Sequence, residues 1–437
     1  MRKILFLICG SLLPLLVFAQ LGISGDVTPS SMLRISDASL INLPFRLADF
    51  TLDYALGDVE FTGHASVETR WQESDISRTE LQLREAYLIW YPSFGEVKLG
   101  KIIHAWGTAD ANNPTDNLSP YDYYYMFLSG TDRKIGNLSA SMTAYVWDMK
   151  LSVVVIPEFV ANRIPYGEPD FPIKIELPAG AEIHEPSEPL EYGGRALYAM
   201  GLGDISLSYF KGFDRSVSPI GIRIPSSATP FPVPQLGYRQ TSVMGMDFVM
   251  FPGNWTLRGE MGYFQTETPD IELDIAKLHI KNSYLQYILQ LEYAFANGVQ
   301  VMGQFIHTNY DKGETTFTPN SAFSSLPVAM QSGITTQFQN LEFQAGMGTP
   351  FALISEKVFI LSSMATFLDN SLELSGMGLI NLEETGYMMS VGAEYSLWGG
   401  FKTISRAAYF IGGDETGNIF TAMEDFSNVT LGLEFNF

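Results

Sequence analysis

The chain has 437 residues and carries 26 Lys+Arg against 48 Asp+Glu, a formal net charge of −22. Nucleic-acid phosphates would repel so acidic a chain, which excludes that partner class. Aromatic residues make up 13% and glycines number 39, with no linker or shift in composition, so one domain is the economical reading.

In chain order, Arg2 and Lys3 precede an apolar run from Ile4 to Phe18, and Val17-Phe18-Ala19 closes it with residues suited to a signal peptidase. Residues 1–19 read as a signal peptide and 20–437 as the mature domain. Cys9 lies inside the leader, so the mature chain has no thiol chemistry and no disulfide. Beyond the leader no apolar run is long enough for a membrane helix.

Strict alternation follows instead. Phe50, Leu52, Tyr54 and Leu56 oppose Thr51, Asp53 and Ala55. Val59, Phe61, Gly63, Ala65 and Val67 oppose Glu60, Thr62, His64, Ser66 and Glu68. The same pattern recurs at Trp255 to Tyr263, Ser283 to Phe295, Val299 to Phe305 and Tyr387 to Tyr395. Side chains alternate faces along a strand, so each segment has a greasy face and a polar face. The last ten residues, Asn428 to Phe437, place Val429, Leu431, Leu433, Phe435 and Phe437 on one face. That length suits a tilted strand crossing a hydrocarbon layer.

Connections alternate between short and long. Tight turns are predicted at Gly57-Asp58, Ser93-Phe94-Gly95, Trp147-Asp148, Gly203-Asp204, Pro252-Gly253-Asn254, Asn297-Gly298, Asp369-Asn370 and Trp398-Gly399-Gly400. Long connections are predicted over roughly 103–136, 158–191, 214–237, 267–282, 310–356 and 412–425. Short turns at one end and long loops at the other are the asymmetry of a transmembrane β-barrel. Segments in lipid must close, because an open edge would strand backbone N–H and C=O groups in hydrocarbon. The prediction is an all-β, single transmembrane antiparallel β-barrel of about 18 strands, including one between Leu21 and Asn42. About 16 is the alternative count, because residues 338–357 are ambiguous.

The stretch Arg84 to Asp122 contains R-E-A-Y-L (Arg84 to Leu88), L-G-K (Leu99 to Lys101), A-W-G (Ala105 to Gly107) and N-P-T-D-N-L-S-P (Asn113 to Pro120). In these motifs, and in its last strands from Val358, the chain resembles a Gram-negative outer-membrane β-barrel family of unknown function. That family is porin-like, related in style to long carbohydrate-export barrels. The resemblance implies a membrane-spanning barrel and brings no substrate or catalytic residue. A terminal Phe437 also resembles the closing strand of such barrels, implying the barrel-assembly machinery as a partner through that strand.

Candidate pore-lining residues are those on the polar faces: Glu60, His64, Glu68, Arg70, Arg84, Arg258, Glu260, Glu292, Glu394 and Glu434. Rings of such charges set ion preference, and the same charges can simply brace neighbouring strands. After Lys101, the residues His104, Trp106, Asp110, Asn113, Asp116 and Asn117, punctuated by Pro114 and Pro120, predict an ordered loop. That loop either folds into the mouth as a constriction or packs to seal the rim. Glu85 falls on the apparent lipid face beside Tyr87 and Ile89, which calls for a bulge, an interfacial position or a partner. The acidic residues between Glu158 and Glu191 lack EF-hand spacing and read as a solvated surface loop, with no metal. The five His residues form no paired motif and no nucleophile elbow appears, so no enzyme and no cofactor is predicted.

The expected function is passage of small solutes through a polar, mildly cation-preferring lumen in the outer membrane, with membrane lipids as partners. Two alternatives are open. Apolar loop residues such as Phe159, Phe171, Phe231, Phe317, Phe323 and Tyr123 to Tyr125 would suit uptake of hydrophobic molecules. Long outer loops would suit a surface-binding or adhesion protein anchored by a barrel.

Overall fold

The computed structural model describes residues 20–72, 79–110, 112–223, 233–269, 275–311, 313–339, 341, 343–350, 355–415 and 417–437. The leader and Phe231 lie outside the described residues.

The first stave is broken into β1 (Gln20–Val27) and β2 (Ser30–Arg34) at Thr28-Pro29, where proline offers no N–H to the ladder. The next six staves are β3 (Phe45–Leu56), β4 (Val59–Thr69), β5 (Thr79–Trp90), β6 (Gly95–Ile102), β7 (Asn137–Val146) and β8 (Met149–Ile156). A short loop strand, β9 (Glu182–His184), precedes β10 (Glu191–Met200) and β11 (Gly203–Phe213). The loop hairpin β12 (Ser218–Arg223) and β13 (Val233–Gly237) then leads to β14 (Gln240–Met250), β15 (Trp255–Glu267), β16 (Ala276–Ala294) and β17 (Gln300–Tyr310). A last loop strand, β18 (Glu314–Pro319), is followed by helices α1 (Ser321–Ser324) and α2 (Val328–Gln339). The closing staves are β19 (Lys357–Phe367), β20 (Leu372–Asn381), β21 (Gly386–Ser396) and β22 (Phe401–Gly412), then helix α3 (Ile419–Met423) and β23 (Asn428–Asn436).

Neighbouring staves pair antiparallel throughout, and β23 pairs with β22 on one side and with both β1 and β2 on the other. The result is a closed 18-strand barrel. The described residues from 338 to 356 supply no stave, and Lys357 begins β19.

Outward faces form an apolar belt: Leu21, Ile23, Phe50, Leu81, Leu99, Val153, Leu207, Met244, Leu289, Leu361, Val391 and Leu431 are all exposed. At the short-turn end Trp90, Phe94, Trp147, Trp255, Phe295, Trp398 and Phe437 form an exposed aromatic girdle. Both described chain ends lie at this end, since Gln20 pairs with Ala55 and Asn436 lies against Gly400. Among the described residues no helix is long and apolar enough to cross a membrane.

Two features depart from the sequence reading. The ladder between β4 and β5 slips between His64/Glu85 and Ala65/Leu83, so Arg84 is the extra residue of a bulge. Past it the faces exchange: Leu88 and Trp90 point out and are exposed, whereas Ile89 is buried. Glu85 therefore turns away from lipid, and its carboxylate accepts from the Ile103 N–H at 2.8 Å. Tyr87 and Ile89, read from the sequence as outward, are inward. The second departure is β16, which runs to 19 residues. Its N-terminal part rises past the belt and pairs with β18 from Ala276/Pro319 to Lys281/Glu314, so the connection after β15 is shorter than predicted.

So many strands enclose more space than wall side chains can fill. Here loops fill part of it. Ile288, Ile306, Val358, Ile360, Leu379, Met388 and Phe410 project inward from consecutive staves. They pack against Ile41, Tyr121, Tyr123, Met126, Phe171, Phe420, Met423 and Phe426 from the loops.

Candidate functional site

The described residues of 103–136 leave β6 and fold inward rather than away from the barrel. Local side chains fix the shape of this loop. The His104 N–H donates to Ser119 Oγ at 2.8 Å and its Nε2 lies 2.9 Å from Ser139 Oγ. Asn113 Nδ2 donates to the Ala109 carbonyl at 2.7 Å, and Asn117 Nδ2 to the Pro114 carbonyl at 2.8 Å. Asp116 accepts from the Trp106 N–H at 3.1 Å and pairs with buried Lys134 at 2.7 Å. Trp106 packs with Leu118, Val154 and Phe210.

Across the barrel, Glu260 of β15 collects the loop. Its carboxylate accepts from the Thr108 N–H, from the Ala109 N–H at 2.6 Å, and from Asn113 Nδ2 and Thr115 Oγ1, each at 2.9 Å. Gly107 makes this approach possible: with φ +95, a Cβ there would lie 2.5 Å from Glu260 Oε1. Beyond it, Asp110 exchanges hydrogen bonds with Gln290, its N–H donating at 3.0 Å and its carboxylate accepting at 2.8 Å. Gln304 Nε2 donates to the Asp110 carbonyl at 2.8 Å, and Asn112 Nδ2 to Gln304 Oε1 at 3.2 Å. Arg258 reaches Glu292 at 2.8 Å and Asp110 at 3.5 Å.

The opposite wall holds the loop's second half. Tyr125 OH donates to Glu68 at 2.7 Å, and Arg163 bridges Glu68 at 2.6 Å and Asp122 at 3.1 Å. Arg84 pairs with Asp132 at 3.2 Å and donates to the Thr131 carbonyl at 2.8 Å. Arg46 donates to the Asp132 carbonyl at 2.6 Å, its guanidinium 4.0 Å above the Tyr125 ring.

Residues 343–350 form a second inward segment. Tyr284 OH donates to the Met347 carbonyl at 3.1 Å and the Thr349 N–H to Gln286 at 3.1 Å. Buried Arg239 pairs with Asp214 at 2.6 Å and donates to the Gln344 carbonyl at 2.7 Å. The acidic connection is likewise tied in rather than wholly solvated. Glu168 meets Arg70 at 2.7 Å, Asp170 meets Arg34 at 2.7 Å, and Glu191 meets Arg215 at 2.8 Å. No cluster among the described residues could hold a metal ion.

The candidate residues thus divide. Glu68, Arg70, Arg84 and Glu260 are buried in the anchors that hold loops to the wall, as are His104, Trp106, Asn113, Asp116 and Asn117 within the loop itself. Glu60, His64, Arg258, Glu292, Glu394 and Glu434 keep partial exposure on the polar faces, and Asp110 is exposed at the loop's inner edge. His64 lies 2.9 Å from Asp49, and Lys402 joins Glu394 at 2.9 Å to Glu434 at 3.1 Å. Sequence reasoning passed over Asp132, Arg46 and the glutamines 286, 290 and 304. The buried glutamines carried a signal, because an amide on an inward face needs partners once covered.

Burial shapes the loop's protonation. His104 is pushed down to about 4 by burial, with Lys134 and Lys98 adding repulsion. Burial also lowers Lys134, against the pull of Asp116, and raises Asp122, against Arg163.

No family model matches the chain, and no curated protein matches it. Solved structures do. A BenF-like porin from Pseudomonas fluorescens Pf-5 superposes with a TM-score of 0.52 at 11% identity, covering 96% of this chain and 98% of that one. OccK9 (OpdG) of Pseudomonas aeruginosa gives 0.51 at 10%, covering 96% and 98%. OccK2 (OpdF) of P. aeruginosa, in complex with glucuronate, gives 0.52 at 11%, covering 96% and 97%. At these identities the likeness is one of fold. The fold is that of the porin-type outer-membrane β-barrels.

Proposed function

We propose that the protein is an outer-membrane channel for small polar solutes, with residues 103–136 as its constriction. The observation that carries this reading is the loop's course from β6 to Glu260, Gln290 and Gln304 on the far wall, with Asp110 left exposed at its edge. A rim-sealing or adhesive loop has no need of anchors there. The adhesion alternative weakens further because the second long segment, 343–350, also turns inward. Arg46 and Arg84 face Asp132 on one side, while Asp110, Glu292 and Arg258 occupy the other. The relative that holds glucuronate supports small polar organic molecules as the solute class.

A mild cation preference follows from the inward wall toward the short turns, where Asp26, Asp49, Asp53, Glu60, Glu96, Glu373, Glu394 and Glu434 outnumber Lys98, Lys150, Lys402, Arg406 and His64. Purified protein in planar bilayers tests both claims. Conductance with a cation-selective reversal potential in a salt gradient is expected. Folded protein that never conducts would refute the channel, and an anion-selective potential would refute the preference alone.

Uptake of apolar molecules is the second reading. It draws on the inward apolar sector from Ile288 to Phe410 beneath loop residues Tyr121, Met126 and Phe426. Normal growth of a deletion strain on fatty acids and aromatic hydrocarbons would remove it.

A further inference from the structure

Several inward connections meet at Arg215. Its backbone N–H and that of Ser216 donate to the Gly346 carbonyl at 3.0 and 3.1 Å. Its Nη2 donates to the Leu118 carbonyl at 3.0 Å and to Glu191 at 2.8 Å, and its Nη1 to the Val160 carbonyl at 3.1 Å. Asn162 reaches both sides, its Oδ1 accepting from the Tyr121 N–H at 2.8 Å and its Nδ2 donating to Ser216 Oγ at 3.3 Å. Residues 162, 215 and 216 thus join the 103–136 loop to the 343–350 segment. A cavity of about 10 Å³ is lined from both of these, with Asn117 and Tyr121 on one side, Thr349 on the other and Arg215 between. Four atoms of these side chains have no hydrogen-bond partner among the described residues: Asn117 Oδ1, Tyr121 OH, Arg215 Nε and Thr349 Oγ1. None of the four residues is more than 5% exposed. Buried polar atoms in native proteins are bonded either to protein or to ordered water.

We infer that this cavity binds one water molecule, which clips the constriction loop to the 343–350 segment. The volume suits one water and excludes anything much larger. The bonding groups suit it too. Asn117 Nδ2 is committed to the Pro114 carbonyl at 2.8 Å, so its Oδ1 offers an acceptor only. Arg215 Nε–H offers a donor only, and the Tyr121 and Thr349 hydroxyls can serve either way. A water both accepts and donates, so it satisfies this mixture where a bare ion of either sign would not. Charge leads to the same choice. A cation would face the Arg215 guanidinium and an anion the Asp116 carboxylate, which lies on the same lining. Each of these is already neutralised, Arg215 by Glu191 at 2.8 Å and Asp116 by Lys134 at 2.7 Å, so neither calls for a counterion. A water held by several protein groups is nearly as good a link as a direct hydrogen bond.

Two measurements on the full barrel test this. The first is a crystal structure of the wild type at a resolution that shows ordered waters. One peak is expected in the cavity, within hydrogen-bond distance of both segments. A cavity without density overturns the site, and a peak that turns anomalous after a bromide or rubidium soak overturns water in favour of an ion. The second is amide hydrogen exchange read by mass spectrometry. Y121F/T349V removes both hydroxyls at nearly constant shape, and exchange in 116–121 and in 343–350 should rise together by about tenfold, the effect of losing one hydrogen-bonded link. T349S keeps its hydroxyl and should exchange as wild type does. Wild-type exchange in the double variant, or a rise in one segment alone, overturns the clip. Neither measurement reads conductance, so failure here is distinct from failure of the channel assignment.

Discussion

Glu260→Ala is the sharpest probe of the constriction. Glu260 is 3% exposed and accepts from two backbone amides, one carboxamide and one hydroxyl of the loop. A buried donor that loses its acceptor costs about 1–3 kcal/mol. Lumenal water can reach part of the vacated site, so a net loss of roughly 3 kcal/mol is a conservative figure for the four donors together. A change of that size moves the ratio of docked to undocked loop by about a hundredfold. The strand ladder is untouched, since β15 keeps its backbone pairing with β14 and β16. Folding is monitored by heat-modifiable migration in gels, and loop state by single-channel recording. The expected result is a folded barrel with higher conductance and larger current noise, and Glu260→Gln should be intermediate because one acceptor oxygen survives. A folded Glu260→Ala barrel with wild-type conductance and noise would refute the assignment of this residue as the anchor of a constriction.

Deleting Asn112 to Ser119 removes the segment that packs on Glu260 and Gln304, and should raise antibiotic leakage in whole cells with the barrel still assembled; unchanged leakage would count against a constriction. Gly107→Ala places a methyl against the Glu260 carboxylate at a left-handed φ and should mimic the anchor loss, at about 1–3 kcal/mol, in the same recordings. Asp110→Asn should shift the reversal potential toward lower cation selectivity, because an exposed carboxylate at the loop's inner edge is neutralised. His104 should make the loop acid-sensitive: its pKa falls from 6.5 to about 4 in the fold, so the unfolded loop takes up the proton first as pH drops. Its stabilisation is full above pH 6.5 and lost progressively toward 4, up to about 3 kcal/mol, and protease cleavage within 103–136 should rise over that window in wild type but not in His104→Asn.

The barrel itself was written locally. Alternation from Phe50 to Leu56 or from Val429 to Phe437 needs no distant information, because the pleat alone sends successive side chains to opposite faces. Turns such as Gly57-Asp58 and Trp398-Gly399-Gly400 carry their own φ requirement: Gly57, Gly399 and Gly400 all take positive φ. The order of the 103–136 loop was also legible, since Asn113, Asp116 and Asn117 brace it largely from within.

Three things could be decided only in three dimensions. Whether Glu85 faced lipid depended on the bulge at Arg84, and a bulge is a relation between two strands rather than a property of one. Which wall charges stayed open to the lumen depended on where loops landed: Glu68 and Glu260 share the alternation of Glu60 and Glu292, yet only the first two are capped by loop donors. The acidic residues 168, 170 and 191 looked like solvated surface until Arg70, Arg34 and Arg215 came to meet them in the folded chain. A closed wall is readable from local pattern, because strand periodicity and the unmet hydrogen bonds of an edge in hydrocarbon act residue by residue. What fills that wall emerges only in three dimensions, because the partner of an inward charge can lie 180 positions away and is chosen by register and loop path, which no local pattern encodes.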